Sequence, residues 1–341
     1  MFCLLGCSFA WEPFPRYAGP IEKSLFLLDS GIPKRKATAS EVLVEVYSTA
    51  LNPIDYKILE LGIVKKMIFR SPVTPGLDVC GPVVEIGSKV DSFRIGDIVY
   101  GSCNGVFGHG ALAQFAPVPK DALALVPKGL KADDMVSIAT VGMTTYQGLK
   151  PHIKAGDRIF INGGSGGTGV VSIQIAKALG CHVTTSCSAA NVGLCKSLGA
   201  DEVLDYKSAG IIEQLKGKGQ IFDLILDNVG SPFNLYRVSH TFIVPDGNFI
   251  QVGMGMSLSA IRQLIGNMML PGFLGGGKRK YVLVTAKANS ADVDQLAEWM
   301  EEGKIRAVID STFEFNATPK AFERLKMGRA RGKVVVHVKE S

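Results

Sequence analysis

Residues 164–169 read Gly164, Ser165, Gly166, Gly167, Thr168, Gly169, and three of the glycines take the spacing G-x-G-x-x-G. Glycine at these places permits a tight turn and lets backbone N–H groups approach a pyrophosphate closely. A helix opening at such a loop adds its unpaired N–H groups and the positive end of its dipole. All six residues are therefore candidates for a phosphate cradle. Alone, the pattern is also that of a glycine-rich turn in any α/β protein.

The discriminating residues lie about 20 positions further on, where a dinucleotide site that binds ribose hydroxyls carries Asp or Glu. Here the stretch is Ser186, Cys187, Ser188, Ala189, Ala190, Asn191, with no carboxylate. A 2′-phosphate is repelled by an acid and accepted by small polar groups, so NADPH is expected over NADH. Ser186, Ser188 and Asn191 are the candidate contacts, although the serines equally suit the cap of a helix starting near residue 189. Tyr206 and Lys207 close the next strand and border the same place; Tyr206 is equally an ordinary rim aromatic. No Arg or Lys occurs in 186–192, where a 2′-phosphate partner is usual.

Other chemistries are poorly supplied. The seven Cys form no C-x-x-C pair and the five His are scattered singly, so neither a zinc cluster nor a disulfide framework is expected. A reducing compartment follows, the cytoplasm first and the mitochondrion as the alternative. The net charge of +6 is mild and the densest basic run is Lys278, Arg279, Lys280, which argues against nucleic acid. No apolar run reaches the roughly 20 residues that span a bilayer. The apolar start, MFCLLGCSFAW, lacks basic residues and makes a poor signal or transit peptide.

These residues need elements to position them. In 41–50, EVLVEVYSTA, Val42, Val44 and Val46 alternate with polar residues as in an amphipathic strand. Short strands are expected again at 79–87, 97–101 and 111–119, so the first 130 residues read as a small β domain, a distorted barrel. From 131 the pattern changes to a helix at 133–149, a strand at 158–163, a helix at 167–180 and a strand at 182–187. A helix at 189–198 and strands at 202–206, 222–227 and 248–253 complete a parallel, doubly wound sheet. Helices at 292–302 and 319–327 precede a strand at 333–338 that can rejoin the first domain. The expected organisation is a β-rich domain of residues 1–130 and 290–341, with 131–289 inserted as the dinucleotide-binding domain.

Taken together, GGSGGTG, IAKALG, TTSCS, LGADEVLDYKS and FDLILDNVG resemble the medium-chain dehydrogenase/reductase superfamily, and within it the zinc-free quinone oxidoreductase branch. LNPIDYKI, PGLDVCGPVVEIG and GDIVYG upstream, and GKIRAVIDSTFEF and GRARGKVVV downstream, extend the likeness over about residues 20–341. It is nearest to the reticulon-4-interacting-protein-like NADPH reductases and their fungal relatives. The resemblance implies an α/β fold: a GroES-like catalytic domain built from both chain ends around a Rossmann domain. At the family's catalytic zinc places it puts Asn52, Leu77 and Thr140, which are poor zinc ligands.

The implied activity is zinc-independent transfer of hydride from NADPH to a quinone or an α,β-unsaturated carbonyl. Charge then develops on the conjugated oxygen and needs a donor. Asn52, Tyr56 and Lys57, in the loop that lines the family's cleft, are the candidates, though Asn52-Pro53 also suits a turn with Tyr56 and Lys57 as a plain helix start. Asp78 is expected to be structural. Thr144, Asn228, Gly253, Met254 and Arg331 match family positions around the cofactor; Thr144 also suits a helix hydroxyl bonding its own backbone, and Arg331 a solvated turn. Two other functions stay open: a trans-acting enoyl reductase of a biosynthetic pathway, and an NADPH-binding partner protein without turnover. A homodimer is compatible with either.

Overall fold

The structure, a computed structural model, describes residues 7–13, 20–33, 35–60, 73–103, 109–253, 258–270, 272–274 and 276–339. The chain divides into two compact units: Met1–Thr140 with Lys287–Gly303 and Ala307–Ser341, and Val141–Ala286 with Lys304–Arg306.

The first unit is β-rich. Its strands are β1 (Cys7–Pro13), β2 (Leu25–Pro33), β3 (Glu41–Glu45), β4 (Ser48–Leu51), β5 (Asp78–Ile86), β6 (Ile98–Ser102), β7 (Phe115–Pro119) and β8 (Leu123–Leu125). The second contributes β9 (Arg158–Asn162), β10 (His182–Cys187), β11 (Glu202–Asp205), β12 (Phe222–Asp227), β13 (Ile243–Gln251) and β14 (Lys280–Leu283). The chain returns to the first with β15 (Ile309–Glu314) and β16 (Lys333–His337). β16 pairs antiparallel with β4 and parallel with β15, which builds the chain end into the first sheet.

The stretch 41–50 is two strands, not one. β3 pairs with β5 and β7, while β4 pairs with β16 and β5. Val42, Val44 and Val46 enter a core with Val79, Val83, Val99 and Val118. Leu43, between them, is fully buried as well, so the alternation does not separate core from water. A second core gathers Trp11, Leu51, Leu112, Phe322, Val334 and Val336, tying the chain start to its end. There the indole Nε1 of Trp11 donates to the carbonyl of Phe315 at 2.8 Å.

The helix expected at 133–149 is broken into Ala132–Val136 and Ala139–Leu149. The break has a tertiary cause. The Thr140 N–H, which a continuous helix would give to residue 136, donates instead to Asp78 Oδ1 at 2.8 Å.

In the second unit every strand pairing is parallel, in the order β11-β10-β9-β12-β13-β14. Relabelled from β9 as the first strand, this is the order 3-2-1-4-5-6 of a dinucleotide-binding sheet. The order reverses beside β9, and ligands of such sheets bind at the carboxyl ends of the strands flanking that reversal. Phe160, Phe222, Phe242 and Phe249 fill one side of the sheet as its core.

Candidate cofactor and active site

At the carboxyl edge of the parallel sheet, polar residues close otherwise apolar strands. Asn162, at the end of β9, donates from Nδ2 to Asp227 Oδ1 (2.9 Å) and to the Ser231 carbonyl (2.7 Å). Its Oδ1 accepts from the Ser186 hydroxyl at 2.8 Å. Asp227 Oδ1 also accepts the N–H groups of Val229 (3.0 Å) and Gly230 (2.9 Å), which shapes the turn after β12. Burial raises the carboxyl pKa of Asp227, against the pull of these hydrogen bonds. Neither Asn162 nor Asp227 was among the expected site residues. Their only signal is a polar side chain ending a buried apolar run.

The glycine-rich loop is held by the same network. The Gly163 N–H donates to Ser186 Oγ (2.9 Å) and the Gly164 N–H to the Ser186 carbonyl (2.8 Å). Gly163 has φ +84°, a left-handed turn residue just after β9. A Cβ on Gly164 would overlap the Thr185 hydroxyl, and one on Gly169 would overlap the Gly163 carbonyl oxygen and lie 2.7 Å from Gly164 C and Cα. A Cβ on Gly166 would meet nothing nearer than the Gly163 carbonyl at 3.7 Å. Gly164 and Gly169 are thus fixed by packing, while Gly166 borders open space. Gly166 caps the helix Gly167–Ala178, whose first turn contains Gly167, Thr168 and Gly169. Those N–H groups have no partner within the helix. The neighbouring helix Ala139–Leu149 is tied on by Thr145 and Ser172, whose hydroxyls are 3.0 Å apart, and carries Thr144, half-buried.

Ser186 departs from its expected role. It is 1% exposed, and its hydroxyl is spent on Asn162 and Gly163, so it braces the loop rather than meeting a phosphate. Ser188 is half-buried at the N-cap of the short 3₁₀ turn Ala189–Asn191, and its side chain makes no capping hydrogen bond. Asn191 donates from Nδ2 to Ser165 Oγ (3.0 Å), while its Oδ1 is buried without a partner. Tyr206 follows β11 and is exposed. At the end of β12, both Nδ2 and Oδ1 of Asn228 are buried without partners. A Cβ on Gly253 would overlap the Asn228 carbonyl oxygen, so the end of β13 packs directly on this residue. Met254 lies outside the described residues.

The first unit holds a different cluster. Asn52 is buried at the N-cap of the helix Pro53–Lys57. Its Nδ2 donates to Asp78 Oδ2 (2.9 Å) and to the Ala50 carbonyl (3.3 Å), and its Oδ1 accepts from Lys333 Nζ at 2.6 Å. Lys333 also pairs with Asp78 at 3.0 Å, both side chains fully buried. The Asn52 N–H donates to Asp55 Oδ2 at 2.7 Å. Burial, and then the neighbouring Asp78 charge, push the Asp55 carboxyl up to about 7, against its backbone hydrogen bonds and the Lys333 charge. The amide of Asn52 therefore has both its hydrogens engaged inside the protein, contrary to the expected role toward substrate. Asp78 is structural, as its setting in the sequence suggests.

Tyr56 packs against the core of Trp11 and Phe322, with Lys326 Nζ 5.6 Å from its ring centroid. Burial and Glu60 raise its hydroxyl pKa. Lys57 is half-buried, and burial lowers its pKa. Leu77 is buried, and Thr140 Oγ1 lies 2.9 Å from Ser102 Oγ. Arg331 is exposed; its backbone N–H donates to Asp310 Oδ1 at 2.8 Å. Among the described residues no helix is long and apolar enough to cross a membrane.

A six-stranded parallel sheet of this order, with a glycine loop leading into a helix beside it and a β-rich unit from both chain ends, defines a two-domain nicotinamide-dependent oxidoreductase. Residues 38–128 match the alcohol dehydrogenase GroES-like domain, and residues 198–336 match the zinc-binding dehydrogenase family. The chain is 42% identical over 313 residues to the trans-enoyl reductase pgmF of Aspergillus terreus, covering 88% of this chain and 87% of that protein. It is 33% identical over 328 residues to human mitochondrial NAD(P)H oxidoreductase RTN4IP1, covering 88% and 82%. The quinone oxidoreductase from Coxiella burnetii superposes with a TM-score of 0.83 at 27% identity, over 98% of this chain and all of that one. The chain belongs to the medium-chain dehydrogenase/reductase superfamily, whose oxidoreductases use NAD(P)H.

Proposed function

We propose that this protein is an NADPH-dependent, zinc-independent reductase of quinones or α,β-unsaturated carbonyls. The observation that carries the reading is a pair of half-buried asparagines at the carboxyl edge of the sheet whose buried side-chain atoms lack partners. Asn228 has no partner for either side-chain polar atom and Asn191 has none for its Oδ1. Such atoms are costly to bury unpaired, and a bound dinucleotide is the natural partner at this edge. The residues fit the group. The N–H groups of Gly167, Thr168 and Gly169 receive the phosphates, with Gly166 giving clearance. Ser165 and Thr144 lie at the loop and its neighbouring helix, and Arg331 is proposed as a further phosphate contact. Ser188, Asn191 and Tyr206 border the adenosine ribose, where no carboxylate opposes a 2′-phosphate. Asn228 and Gly253 set the nicotinamide end.

When bound, the nicotinamide supplies hydride to the β-carbon of a conjugated acceptor. The protein must hold the acceptor and stabilise the charge that develops on its oxygen. Of Asn52, Tyr56 and Lys57, Lys57 is proposed as the donor: it is half-buried in the short helix after β4, and its lowered pKa makes it a better acid. Metal independence is supported by donor chemistry. At the family's zinc places stand Asn52, Leu77 and Thr140, and the Lys333 ammonium beside Asn52 Oδ1 would repel a cation. The described thiols Cys80, Cys103, Cys181, Cys187 and Cys195 are free and buried, which suits a reducing compartment, the cytoplasm or the mitochondrion.

A second reading, a trans-acting enoyl reductase, is favoured specifically by the 42% identity to pgmF. NADPH consumption with a panel of quinones, enones and enoyl thioesters separates the two: reduction confined to thioesters selects the second. Gly167→Asp puts a negative charge at the helix start and should weaken NADPH at least tenfold, about 1.4 kcal/mol, with an unchanged melt in the absence of cofactor. Normal NADPH binding by this variant would remove the loop from the cofactor site. Activity lost on chelation, with stoichiometric zinc restoring it, would overturn the metal-independent mechanism.

A further inference from the structure

Between Asp227 and Asp292 the charges are segregated. The intervening residues hold one acid, Asp246, against six bases: Arg237, Arg262, Lys278, Arg279, Lys280 and Lys287. This excess is most of the net charge of +6 carried by the whole chain. Arg279 is turned inward, its Nε and Nη2 donating to the Ile243 carbonyl at 3.1 and 2.9 Å. Arg237, Arg262, Lys278 and Lys280 are exposed, and all four belong to the second unit.

The same stretch turns apolar side chains to water. The helix Leu258–Met269 sets Arg262, Ile265 and Met269 on one stripe, at i, i+3 and i+7, and Ile265 is exposed. Met268, Met269 and Leu270 follow at 61%, 76% and 40% exposure. The Leu270 N–H still donates to the Gly266 carbonyl at 2.9 Å, so the helical turn continues through it. Successive helix residues point about 100° apart, so these three cover the end of the helix on several sides. Leu274 and Phe233 are exposed as well. Gln263 Nε2 donates to the Phe233 carbonyl at 2.5 Å, which holds that loop beside the helix. A Cβ on Gly266 would lie 3.6 Å from Arg237 Nη2, and one on Gly272 would lie 3.3 Å from Lys278 Cγ. Cations therefore border the apolar tip where the helix ends and in the turn that follows.

We propose that this tip docks on an anionic lipid surface. Met268, Met269, Leu270 and Leu274 enter the interface, and Arg237, Arg262, Lys278 and Lys280 meet the charged headgroups. Exposed apolar residues flanked by Lys and Arg are the make-up of a helix that lies in a membrane interface without spanning it. Each basic residue near an anionic leaflet adds to the attraction. A second copy is a poor occupant: a two-fold contact sets a patch against itself and would bring these cations together, with one acid to offset them. A protein groove takes one stripe of a helix, whereas a bilayer receives side chains that leave the helix end on several sides. The tip shares no residue with the dinucleotide loop, and the proposal does not rest on the reductase reading.

The test is cosedimentation of the full chain with unilamellar vesicles, of phosphatidylcholine alone and of phosphatidylcholine with phosphatidylserine in a three-to-one ratio. The anionic vesicles should bind the chain about tenfold more strongly, and the difference should shrink in about 0.5 M salt. Met268→Ser combined with Met269→Ser should weaken that binding about tenfold, and Arg262→Gln combined with Lys278→Gln about as much. All four side chains are exposed, so both variants should melt with the parent. Ile95→Ser, an exposed apolar change in the first unit, should bind vesicles like the parent. Gly167→Asp should do the same, whether or not it binds NADPH. Equal binding to the two kinds of vesicle, binding to neither, or paired variants that bind like the parent would overturn the proposal. So would light scattering showing a dimer that the paired serine variant dissociates, with no vesicle binding by the parent: the tip would then be the contact between two copies. Retention on poly-glutamate without vesicle binding would also overturn it, assigning the tip to an acidic protein.

Discussion

At the carboxyl edge of the parallel sheet, Asn191 and Asn228 keep buried polar atoms without partners. In the β-rich unit, Asn52, Asp55, Asp78 and Lys333 satisfy one another, and none of the four leaves a buried polar atom unpaired. Both clusters contain asparagine amides; the closed one is buried as whole residues, while Asn191 and Asn228 are half-buried. They differ in what is left over. A closed network has spent its hydrogen-bonding capacity on the fold and has little to offer a ligand. An open one carries a cost of about 1–3 kcal/mol per unpaired group, which a bound ligand can relieve. Unpaired capacity, more than residue type, separates the proposed binding edge from the closed hub.

The strongest test of the closed cluster is Lys333→Met. It leaves the fully buried Asp78 without its ammonium, and removing one member of a buried pair costs about 3–5 kcal/mol. Urea unfolding should show that loss. Adding Asp78→Asn should recover more than half of it, because a neutral amide can then bond Asn52 directly. A loss under about 1 kcal/mol for Lys333→Met would mean the cluster is solvated and not closed.

Within the open edge, the glycines divide the loop into a packed part and a part that borders open space. Gly169→Ala forces a methyl against the backbone of Gly163 and Gly164 and should cost about 1–3 kcal/mol of stability. Gly166→Ala meets no neighbour and should stay within about 0.5 kcal/mol of the parent in a melt without cofactor. Its effect should appear in NADPH titration, as an affinity about tenfold weaker. If Gly166→Ala binds normally, the dinucleotide does not pass over this residue.

Asn228→Leu tests the unpaired atoms themselves. Replacing an unsatisfied buried amide by an apolar side chain should leave the cofactor-free protein as stable as the parent or about 1 kcal/mol more so. The same variant should bind NADPH about tenfold more weakly. A clear loss of stability would show that the amide has partners within the fold.

Much of this contrast was legible in the chain. Strands β10 and β12 fall where apolar runs predict them, at His182–Cys187 and Phe222–Asp227, and the glycine loop stands between its strand and helix. The misreadings share one cause: sequence shows which groups can bond, not which are already bonded. Ser186 looks like a phosphate contact until Asn162 and Gly163 are seen to consume its hydroxyl. Asn52 looks like a substrate donor until Lys333, 281 positions away, is found on its oxygen. The break at Thr140 likewise depends on Asp78, 62 positions earlier. Such pairings belong to the tertiary fold, and no local pattern carries them.

The smallest effect is expected from a third cluster, neither closed nor open but wet. In the β-rich unit, His337 Nε2 lies 2.7 Å from Asp133 Oδ2 and its Nδ1 lies 3.6 Å from Glu314 Oε1, with Ser48 donating to Asp133 Oδ1 at 2.5 Å. Partial burial lowers the imidazole pKa, but the hydrogen bonds and charges of Asp133 and Glu314 outweigh it, so the net shift is upward from 6.5. A folded-state pKa above the unfolded one stabilises the fold fully below about pH 6.5, and the gain is lost as pH rises through the folded value. The His337 side chain is 34% exposed, so solvent screens the pair to about 0.2–1 kcal/mol. Melts of the parent and His337→Gln should therefore differ most between about pH 5 and 6.5 and converge above about pH 8. High salt should shrink the difference, because exposed charges are screened within a Debye length of a few ångströms near 1 M. A gap that widens with pH would mean that the imidazole is held neutral in the folded protein. The cluster would then belong with the closed network around Lys333, not with the solvated rim.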